Sequence, residues 1–447
     1  MNITTFICLL FGLQLFYWTI GKRASKNLET NDDYFLAGKT VRLFPLTMTF
    51  LATQVGGGLV LGASNEAYKY GWAILLYPLG SALGLIFLGM GIGKKLAQFK
   101  VSTVAQIFEQ VYGSKNLKKF ASILSILSLF MILVGQIIAS SQFLLSIGFN
   151  NTPLFIAFWA IVILYTAQGG LKAVISTDIV QAGFFSIVFL LCFGLVAFSQ
   201  ASAFQMPQLE TTGVISSKLC GWLLMPLLFM VIEQDMAQRC FAGKSPKIVS
   251  RATLLAGIGT LVVCIVPIFF GVLAKNMNLE IPPGASVLMI AIEKTTNPTM
   301  AAVVGCAILA AVISTATSLI SAISSNISTD FTKNQSIKSV QWITGGISVA
   351  AIAFAFYFDN VVDLLIQSYE LSVSCMFVPI FIALFKKEGY FTSALLSVIF
   401  GVTGFILFRI YPIDFPKEVG SILLSLVGFG IGELLISFRN KKLAKAL

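Results

Sequence analysis

Three consecutive glycines lie in the middle of an apolar segment, where freed backbone oxygen atoms could bind a cation. They are Gly56, Gly57 and Gly58, within residues 50–59. Each glycine destabilises a helix interior by about 1 kcal/mol, so the run predicts an unwound segment, which a membrane tolerates only around a cavity or inside protein. Freed carbonyl groups are ligands that a hard cation such as Na⁺ needs. Close helix packing on small residues is the alternative interpretation.

Hydroxyl groups form a second cluster of oxygen atoms. Ser314, Thr317 and Ser318 follow i, i+3, i+4 spacing in an apolar segment, so their side chains share one face of a helix. The cluster is a candidate for binding a ligand. Alternatively, each hydroxyl bonds back to the carbonyl four residues earlier.

Carboxyl groups occur at further positions within apolar stretches. At Asp178 a carboxylate costs about 2.5–3.5 kcal/mol at the bilayer centre, so this residue is a functional candidate or else a helix N-cap near the membrane surface. Glu233 and Asp235 lie near the inner end of residues 219–238, where Pro226 interrupts the helical hydrogen bonds. Interrupted helices at matching positions in two halves of a chain indicate a central transport site.

Composition sets the class of protein. Of 447 residues, 57% are apolar and 11% are charged, against about 45–50% and about 25% in soluble domains, so we predict an all-α polytopic membrane protein. The sequence has no histidine and no GxxxxGK[ST] motif, which excludes histidine-based catalysis and argues against ATP as the energy source. Its seven cysteines fall singly in apolar runs and suggest neither a disulfide framework nor a metal site. We therefore do not expect an enzyme.

Thirteen apolar stretches are long enough to cross a bilayer. They are 3–21, 43–68, 72–93, 119–147, 152–168, 176–199, 219–238, 252–274, 299–328, 338–358, 360–385, 389–410 and 419–438. With the N-terminus outside and the C-terminus cytoplasmic, 24 of the 30 Lys and Arg residues lie on the inner side, in agreement with the positive-inside rule. The net charge of +11 therefore sets orientation in a cell or plasma membrane and does not indicate nucleic-acid binding.

Four sequence motifs resemble the sodium:solute symporter family. Residues 165–181, YTAQGGLKAVISTDIVQ, are similar to the family's YT..GG..aV..TD..Q stretch, and residues 35–39, FLAGK, to its FLAGR. Residues 238–245, QRCFAGKS, resemble QR..aaKs, and residues 311–318 resemble AA..SS..S. The matches follow the family's order from residue 34 to about 330.

This resemblance implies a leucine-transporter-like fold, with two inverted five-helix repeats whose first and sixth core helices are broken. The whole chain, 1–447, would form one membrane transporter domain. Its predicted parts are an N-terminal extra helix with a cytoplasmic loop at 1–41, repeats at 42–200 and 215–386, and C-terminal extra helices at 387–447.

The resemblance also implies sodium sites. The family's common Na⁺ site corresponds to Ala52, Val55, Ala311, Ser314 and Thr315. A second site, present in some members, corresponds to Asp178, Ser314, Thr317 and Ser318. One Na⁺ per cycle is expected, or two if the second site binds.

The predicted solute site is polar. Residues 52–58, ATQVGGG, resemble the ATWVGGG run of the high-affinity choline transporter branch, which encloses choline in an aromatic cage. The cage positions here are Gln54, Ala139 and Glu233, so the cage is absent. The predicted solute-binding residues are Gln54, Gly56, Gly57, Gln136 and Glu233. The carboxylate of Glu233 suits an amine-bearing solute such as an amino acid, or it gates the cavity with Arg239 or Lys244.

We predict from these observations a secondary active transporter that imports a small polar organic solute with Na⁺ by alternating access. Its expected partners are the solute, sodium ions and the lipid bilayer, with no nucleic acid and no obligatory protein partner. An ion channel is one alternative, since carbonyls and hydroxyls also build ion filters. A proton-coupled transporter and a membrane enzyme or sensor are the others.

Overall fold

The computed structural model describes residues 2–26, 28, 30–149, 152–199, 216–332, 336–357, 361–386, 388–411 and 415–446. Across these ranges the chain is helical, and its one extended pairing is an isolated bridge between Val41 and Gly243. Ten of the described helices are long and apolar enough to cross a membrane, or eleven if a bent pair counts as one span. The total of thirteen spans stays a prediction. Residues 1, 200, 215, 360, 387 and 447, where predicted boundaries fall, lie outside the described ranges.

The helices of the first half of the chain follow one another with short connections. They are α1 Ile3–Ala24, α2 Asn31–Leu36, α3 Leu43–Gln54, α4 Ala63–Tyr70, α5 Leu76–Phe87, α6 Gly93–Leu96, α7 Gln106–Tyr112, α8 Lys115–Ser146 and α9 Thr152–Ser199.

The second half contains ten more. They are α10 Ser216–Ile232, α11 Gln234–Ala242, α12 Pro246–Asn276, α13 Val287–Thr295, α14 Pro298–Asp330, α15 Ile337–Ala355, α16 Val361–Ser372, α17 Val378–Ala383, α18 Phe391–Ile410 and α19 Lys417–Ala446.

Helix α9 is far longer than a single span requires. Its 48 residues would extend about 72 Å at 1.5 Å per residue, against about 30 Å of hydrocarbon. The helix is divided at Gly170, which has φ 53° and ψ −154°. A Cβ there would lie 2.5 Å from the Tyr34 carbonyl oxygen, so glycine is required both by the dihedral angles and by the close approach of α2. The family-like glycine pair of residues 169–170 therefore marks a turn between two membrane-length stretches.

Two other helices are broken within the bundle. The first break follows α3, where Val55 has φ −81° and ψ 77°, and the chain resumes through a π-helical turn, Gly58–Gly62, into α4. The second separates α10 from α11 at Glu233 (φ −69°, ψ 124°), with a 45° bend. The break predicted at Pro226 was placed wrongly, because this proline lies inside α10.

Helix α14 lies at the centre of the bundle. Its most apolar 18-residue window is 94% buried, whereas that of α1 is 17% buried. It packs against α8, α9, α3 and α11, and it carries the hydroxyl cluster predicted from sequence. The breaks after α3 and α10 therefore lie beside a polar helix that is enclosed by protein.

Candidate functional site

The end of α3 is joined to α14 by hydroxyl groups that donate to backbone carbonyls. Ser314 Oγ lies 2.8 Å from Ala52 O and 2.8 Å from Ala311 O. Thr315 Oγ1 lies 2.8 Å from Thr53 O and 3.2 Å from Ala52 O. The carbonyls of Ala52 and Thr53 belong to the last turn of α3, where no further helical turn supplies amide donors. The hydroxyls of α14 satisfy them instead.

Four of the five residues of the predicted first Na⁺ site therefore share one hydrogen-bonded cluster. They are Ala52, Ala311, Ser314 and Thr315, and Val55 forms the non-helical link directly after α3. A hydroxyl group both donates and accepts hydrogen bonds. Rotation of its proton away from the carbonyl would expose a lone pair beside the carbonyl oxygen, so that both oxygens could face a cation.

The glycine run both breaks the helix and permits close contacts. Gly57 N donates to Gln136 Oε1 on α8 at 2.6 Å. A Cβ on Gly56 would lie 2.4 Å from Thr315 Oγ1, and a Cβ on Gly57 would lie 2.5 Å from Ala139 Cβ. Both interpretations of the run therefore apply, because the backbone at the helix break also packs closely against α8 and α14.

Asp178 and Arg239 form a fully buried ion pair, with both side chains 0% exposed. Arg239 Nη2 lies 3.3 Å from Asp178 Oδ2, and Thr49 donates its hydroxyl proton to the same carboxylate oxygen at 2.5 Å. The N-cap interpretation of Asp178 is wrong, because this residue lies inside α9, beyond the turn at Gly170. The carboxylate of Asp178 therefore connects α9 to α3 through Thr49 and to α11 through Arg239.

The remaining hydroxyls of the predicted second Na⁺ site are used locally. Thr317 Oγ1 and Ser318 Oγ lie 3.0 and 2.8 Å from Ser314 O, as back-bonding within a helix predicts. Ser318 Oγ also contacts Thr53 Oγ1 at 3.0 Å and accepts from Arg239 Nη2 at 2.5 Å. The four predicted residues are therefore near one another, but the guanidinium of Arg239 connects two of them.

A small polar cavity lies between the two helix breaks. Its lining includes four residues of the predicted solute site, Gln54, Gly56, Gln136 and Glu233, and the neighbouring carboxyl group of Asp235. It also includes polar groups that the sequence analysis did not identify, Thr53, Tyr77, Ser81 and Tyr369. Its volume is about 20 Å³, enough for about one water molecule. A solute fits only if the surrounding helices separate, so this structure is a contracted state of the site.

Glu233 occupies the second break and faces this cavity. It is buried, and its Oε2 atom has no hydrogen-bond partner among the described residues. The carboxyl groups of Glu233 and Asp235 lie next to each other. The ion pair of Arg239 is with Asp178 and not with Glu233, so the gate predicted between Arg239 and Glu233 is not formed here. A carboxylate oxygen thus points towards the space where a solute would enter.

Side-chain contacts join halves of the two broken helices to neighbouring elements. On α4, Glu66 is 4% exposed and its Oε2 lies 3.3 Å from Lys218 Nζ on α10. On α11, Gln234 accepts from Val104 N at 2.7 Å and donates to Ser102 O at 2.9 Å. We expect these contacts to break when the helices separate to admit a solute.

The Glu66–Lys218 ion pair, called here the latch, is expected to hold α4 against α10. Lys218→Met should increase several-fold the rate at which a membrane-impermeant maleimide labels a cysteine placed at Ser81 in the cavity lining. Lys69→Met is the matched control, because Lys69 pairs with Glu66 within the same helix and does not connect two helices. Equal labelling rates in the two variants would contradict a role for the latch in closure.

The sequence analysis missed the partners of the buried charges. Thr49 and Thr53 are four residues apart on α3. Thr49 contacts both members of the ion pair, and Thr53 contacts Ser318 on α14. Their i, i+4 spacing was the available signal, since it places both hydroxyls on one helix face. The contact of Arg239 with Asp178 joins residues 61 positions apart, which spacing alone does not reveal.

Comparison with known proteins identifies the family to which this site belongs. A model of the sodium:solute symporter family matches residues 34–401. The sodium/pantothenate symporter of Haemophilus influenzae is 23% identical over 98% of this chain and 96% of its own length. The human high affinity choline transporter 1 is 28% identical, but the match spans 58% of this chain and 47% of that protein.

Two solved structures share the fold. A Na⁺-coupled sialic acid symporter in a substrate-bound, outward-open state has a TM-score of 0.75 and 19% identity, covering 96% of this chain and 98% of its own. A nucleobase–cation-symport-1 family transporter, closed around bromovinylhydantoin, has a TM-score of 0.62 and 13% identity, covering 91% and 96%. The helical arrangement is therefore that of leucine-transporter-like symporters.

Proposed function

This chain belongs to the sodium:solute symporter family, and we propose that it imports a small, amine-bearing organic solute together with Na⁺. The family consists of membrane transporters, so sodium-coupled solute symport is the general activity. We also propose that two inverted repeats give alternating access to the site, and that the N-terminus lies outside. The sodium ligands and the class of solute are proposed from the contacts described next.

The contact between α3 and α14 is the observation that supports the sodium site most strongly. Ser314 and Thr315 reach across to the carbonyls of Ala52 and Thr53 at 2.8 Å, directly before the helix break. Neutral oxygen ligands on two separate helices suit a monovalent cation, because binding draws the helices together without burying a second charge of the protein. Sodium would then favour the conformation in which both helices contribute, which is required if the ion is to shift the conformational equilibrium.

Glu233 supports an amine-bearing solute. Its buried Oε2 has no hydrogen-bond partner among the described residues, and a protonated amine would supply one. A buried polar atom without a partner is otherwise costly. The named solutes of the similar proteins, pantothenate, choline and sialic acid, differ in charge and do not specify this one. The amine is therefore proposed from the chain's own carboxylate.

Glu233→Gln should remove the preference for amine-bearing solutes. Loss of a charged hydrogen bond is worth roughly 1.5–3 kcal/mol, so uptake of an amine solute should fall about tenfold or more, while an amine-free analogue is affected less. Competition between the two compounds in uptake assays measures this. Asp330→Asn is the control, because Asp330 is also a buried carboxylate, but it accepts from Thr103 and Ser122 and is not part of the cavity lining. An unchanged preference in Glu233→Gln would refute the solute proposal.

The transport activity itself is tested in proteoliposomes with an imposed Na⁺ gradient and pooled labelled amino acids, amines, sugars and carboxylates. We expect accumulation of the amine-containing pools that collapses when K⁺ replaces Na⁺. Accumulation that follows a proton gradient and ignores Na⁺ would support the proton-coupled alternative. Ion currents without solute, at rates above those of a carrier cycle, would support a channel.

A further inference from the structure

The cavity between the two helix breaks carries acidic side chains and, in its described lining, no lysine or arginine. Glu233 and Asp235 are 4% and 1% exposed, and their carboxyl groups lie next to each other. The buried cation of α11, Arg239, forms its ion pair with Asp178. Arg239 also donates to the main-chain carbonyl of Asp235 and not to its carboxyl group. The charge of the cavity therefore favours a cationic group of the solute and repels an anionic one.

The helix ends that could bind an anionic group are occupied by oxygen atoms of the chain itself. Amide groups at a helix N-terminus attract anions, and two helical segments begin at this cavity, the turn Gly58–Gly62 and α11. Gly57 N, at the start of the first, donates to Gln136 Oε1 at 2.6 Å. Met236 N, in the first turn of the second, donates to Asp235 Oδ1 at 2.8 Å. A solute carboxylate would have to displace Gln136 at one end and would meet the carboxyl group of Asp235 at the other.

The same lining suits the N–H groups of an ammonium ion. Glu233 Oε2 has no hydrogen-bond partner among the described residues. The carboxyl group of Asp235 and the hydroxyls of Tyr77 and Tyr369 belong to the same lining. A primary ammonium group presents three N–H donors to such acceptors. A quaternary ammonium group presents none and depends on aromatic faces, and the Tyr369 ring already packs against Phe229, with 4.6 Å between ring centroids.

We infer that the transported solute is a primary amine that carries no carboxylate group. The inference rests on the proposed function and narrows its class of solute. An amine or an amino alcohol fits the cavity. An α-amino acid brings a carboxylate that the cavity repels, and a quaternary amine lacks the N–H donors. Gln136 and Asp235 are thereby assigned as specificity-determining residues, because their oxygen atoms occupy the amides that would otherwise hold a carboxylate.

Thermal stabilisation of the purified full-length protein in nanodiscs, with Na⁺ present, tests this inference. The probes are amines paired with the amino acid that differs from each by one carboxylate: ethanolamine with serine, cadaverine with lysine, and tyramine with tyrosine. Choline, which is ethanolamine with three N-methyl groups, tests the need for N–H donors. In any pair that binds, we expect the amine to half-saturate at a concentration about tenfold or more below that of its amino acid. Choline should bind more weakly than the amines.

Gln136→Ala should weaken this discrimination, because it frees Gly57 N for a solute carboxylate. The difference within a pair should fall from about tenfold to about threefold or less. Asp330→Asn is the matched control and should leave the difference unchanged, since Asp330 lies outside the cavity lining. An unchanged difference in folded Gln136→Ala would overturn the role of Gln136 in excluding a carboxylate.

The unmodified protein decides the class of solute even if Gln136→Ala does not fold. An amino acid that binds as tightly as its paired amine, or choline that binds more tightly than every amine, would overturn this inference and leave an amine-bearing solute intact. If no amine, amino acid or choline stabilises the protein, both this inference and the amine proposal fail. Sodium-driven accumulation of sugars or carboxylates in proteoliposomes would then still show symport.

Discussion

Gly56→Ala is expected to abolish solute uptake while the protein remains folded in the bilayer. The added Cβ would lie 2.4 Å from Thr315 Oγ1 on α14 and 2.8 Å from Gln136 Oε1 on α8. Neither atom can withdraw freely, because Thr315 contacts Thr53 O at 2.8 Å and Gln136 accepts from Gly57 N at 2.6 Å. The methyl group therefore separates α14 from the end of α3 and disrupts the proposed ion site.

Gly135→Ala is the control for this variant. Gly135 lies on α8 beside Gln136, and its added Cβ would meet Leu365 Cδ2 at 3.5 Å, which is ordinary van der Waals contact. Alanine also favours a helix interior by about 1 kcal/mol over glycine. Initial rates of sodium-driven uptake, normalised to protein content, measure both variants. Uptake by Gly56→Ala within twofold of the unmodified protein would contradict the assigned role of this segment.

Thr315→Ala is expected to raise the half-saturating Na⁺ concentration about 10- to 100-fold, since an interaction with a charged group is worth roughly 1.5–3 kcal/mol. The hydroxyl reaches the carbonyls of both Ala52 and Thr53, so its loss removes one proposed ligand and one connection between the helices. The maximal uptake rate at saturating Na⁺ should fall less. Uptake measured as a function of Na⁺ at fixed solute separates the two effects.

Two further variants show whether the hydroxyl position matters. Thr315→Ser keeps the hydroxyl and should restore most of the sodium affinity. Thr317→Ala removes a hydroxyl from the same helix, but one that donates to Ser314 O and is not among the proposed ligands of the first site. If Thr317→Ala weakened sodium dependence as much as Thr315→Ala, the first site would be assigned to the wrong residues.

The sequence predicts those parts of the site that depend on local composition. The glycine run weakens a helix in an apolar segment, and the break after Gln54 falls at Val55 and Gly56, while Gly57 and Gly58 already belong to the next helical turn. Helical spacing placed Ser314 on one face with Thr317 and Ser318, whereas Thr315 was assigned through the family motif. Ser314 and Thr315 both contact the facing backbone. The family motifs connected these two segments, which spacing alone could not, since they are separated by about 260 residues.

Other features depend on tertiary packing, so the sequence pattern did not determine them. Pro226 looked like the site of the second break, but α10 continues through it and ends at Ile232, so the break presents a carboxylate, Glu233, to the cavity. Arg239 belongs to a recognised motif, but the sequence contains several acidic residues that could pair with it. Only the tertiary packing of α9 against α11 determines that the partner is Asp178. The span count is equally dependent on tertiary structure, because α9 joins two predicted spans through Gly170.

The hydroxyl-to-carbonyl contacts between α14 and α3 have a consequence for the resting carrier. A hydroxyl can donate to a carbonyl when no cation is present and accept a cation when one approaches. Ser314 and Thr315 can therefore provide a partner for the carbonyl oxygens of Ala52 and Thr53 without the ion and serve as ligands with it. A cluster made only of carboxylates and carbonyls would repel itself without its ion and resist closing. We therefore expect the proposed site to close without its ion, so that the return of the carrier to the outward side needs no exchanged molecule from the cytoplasm.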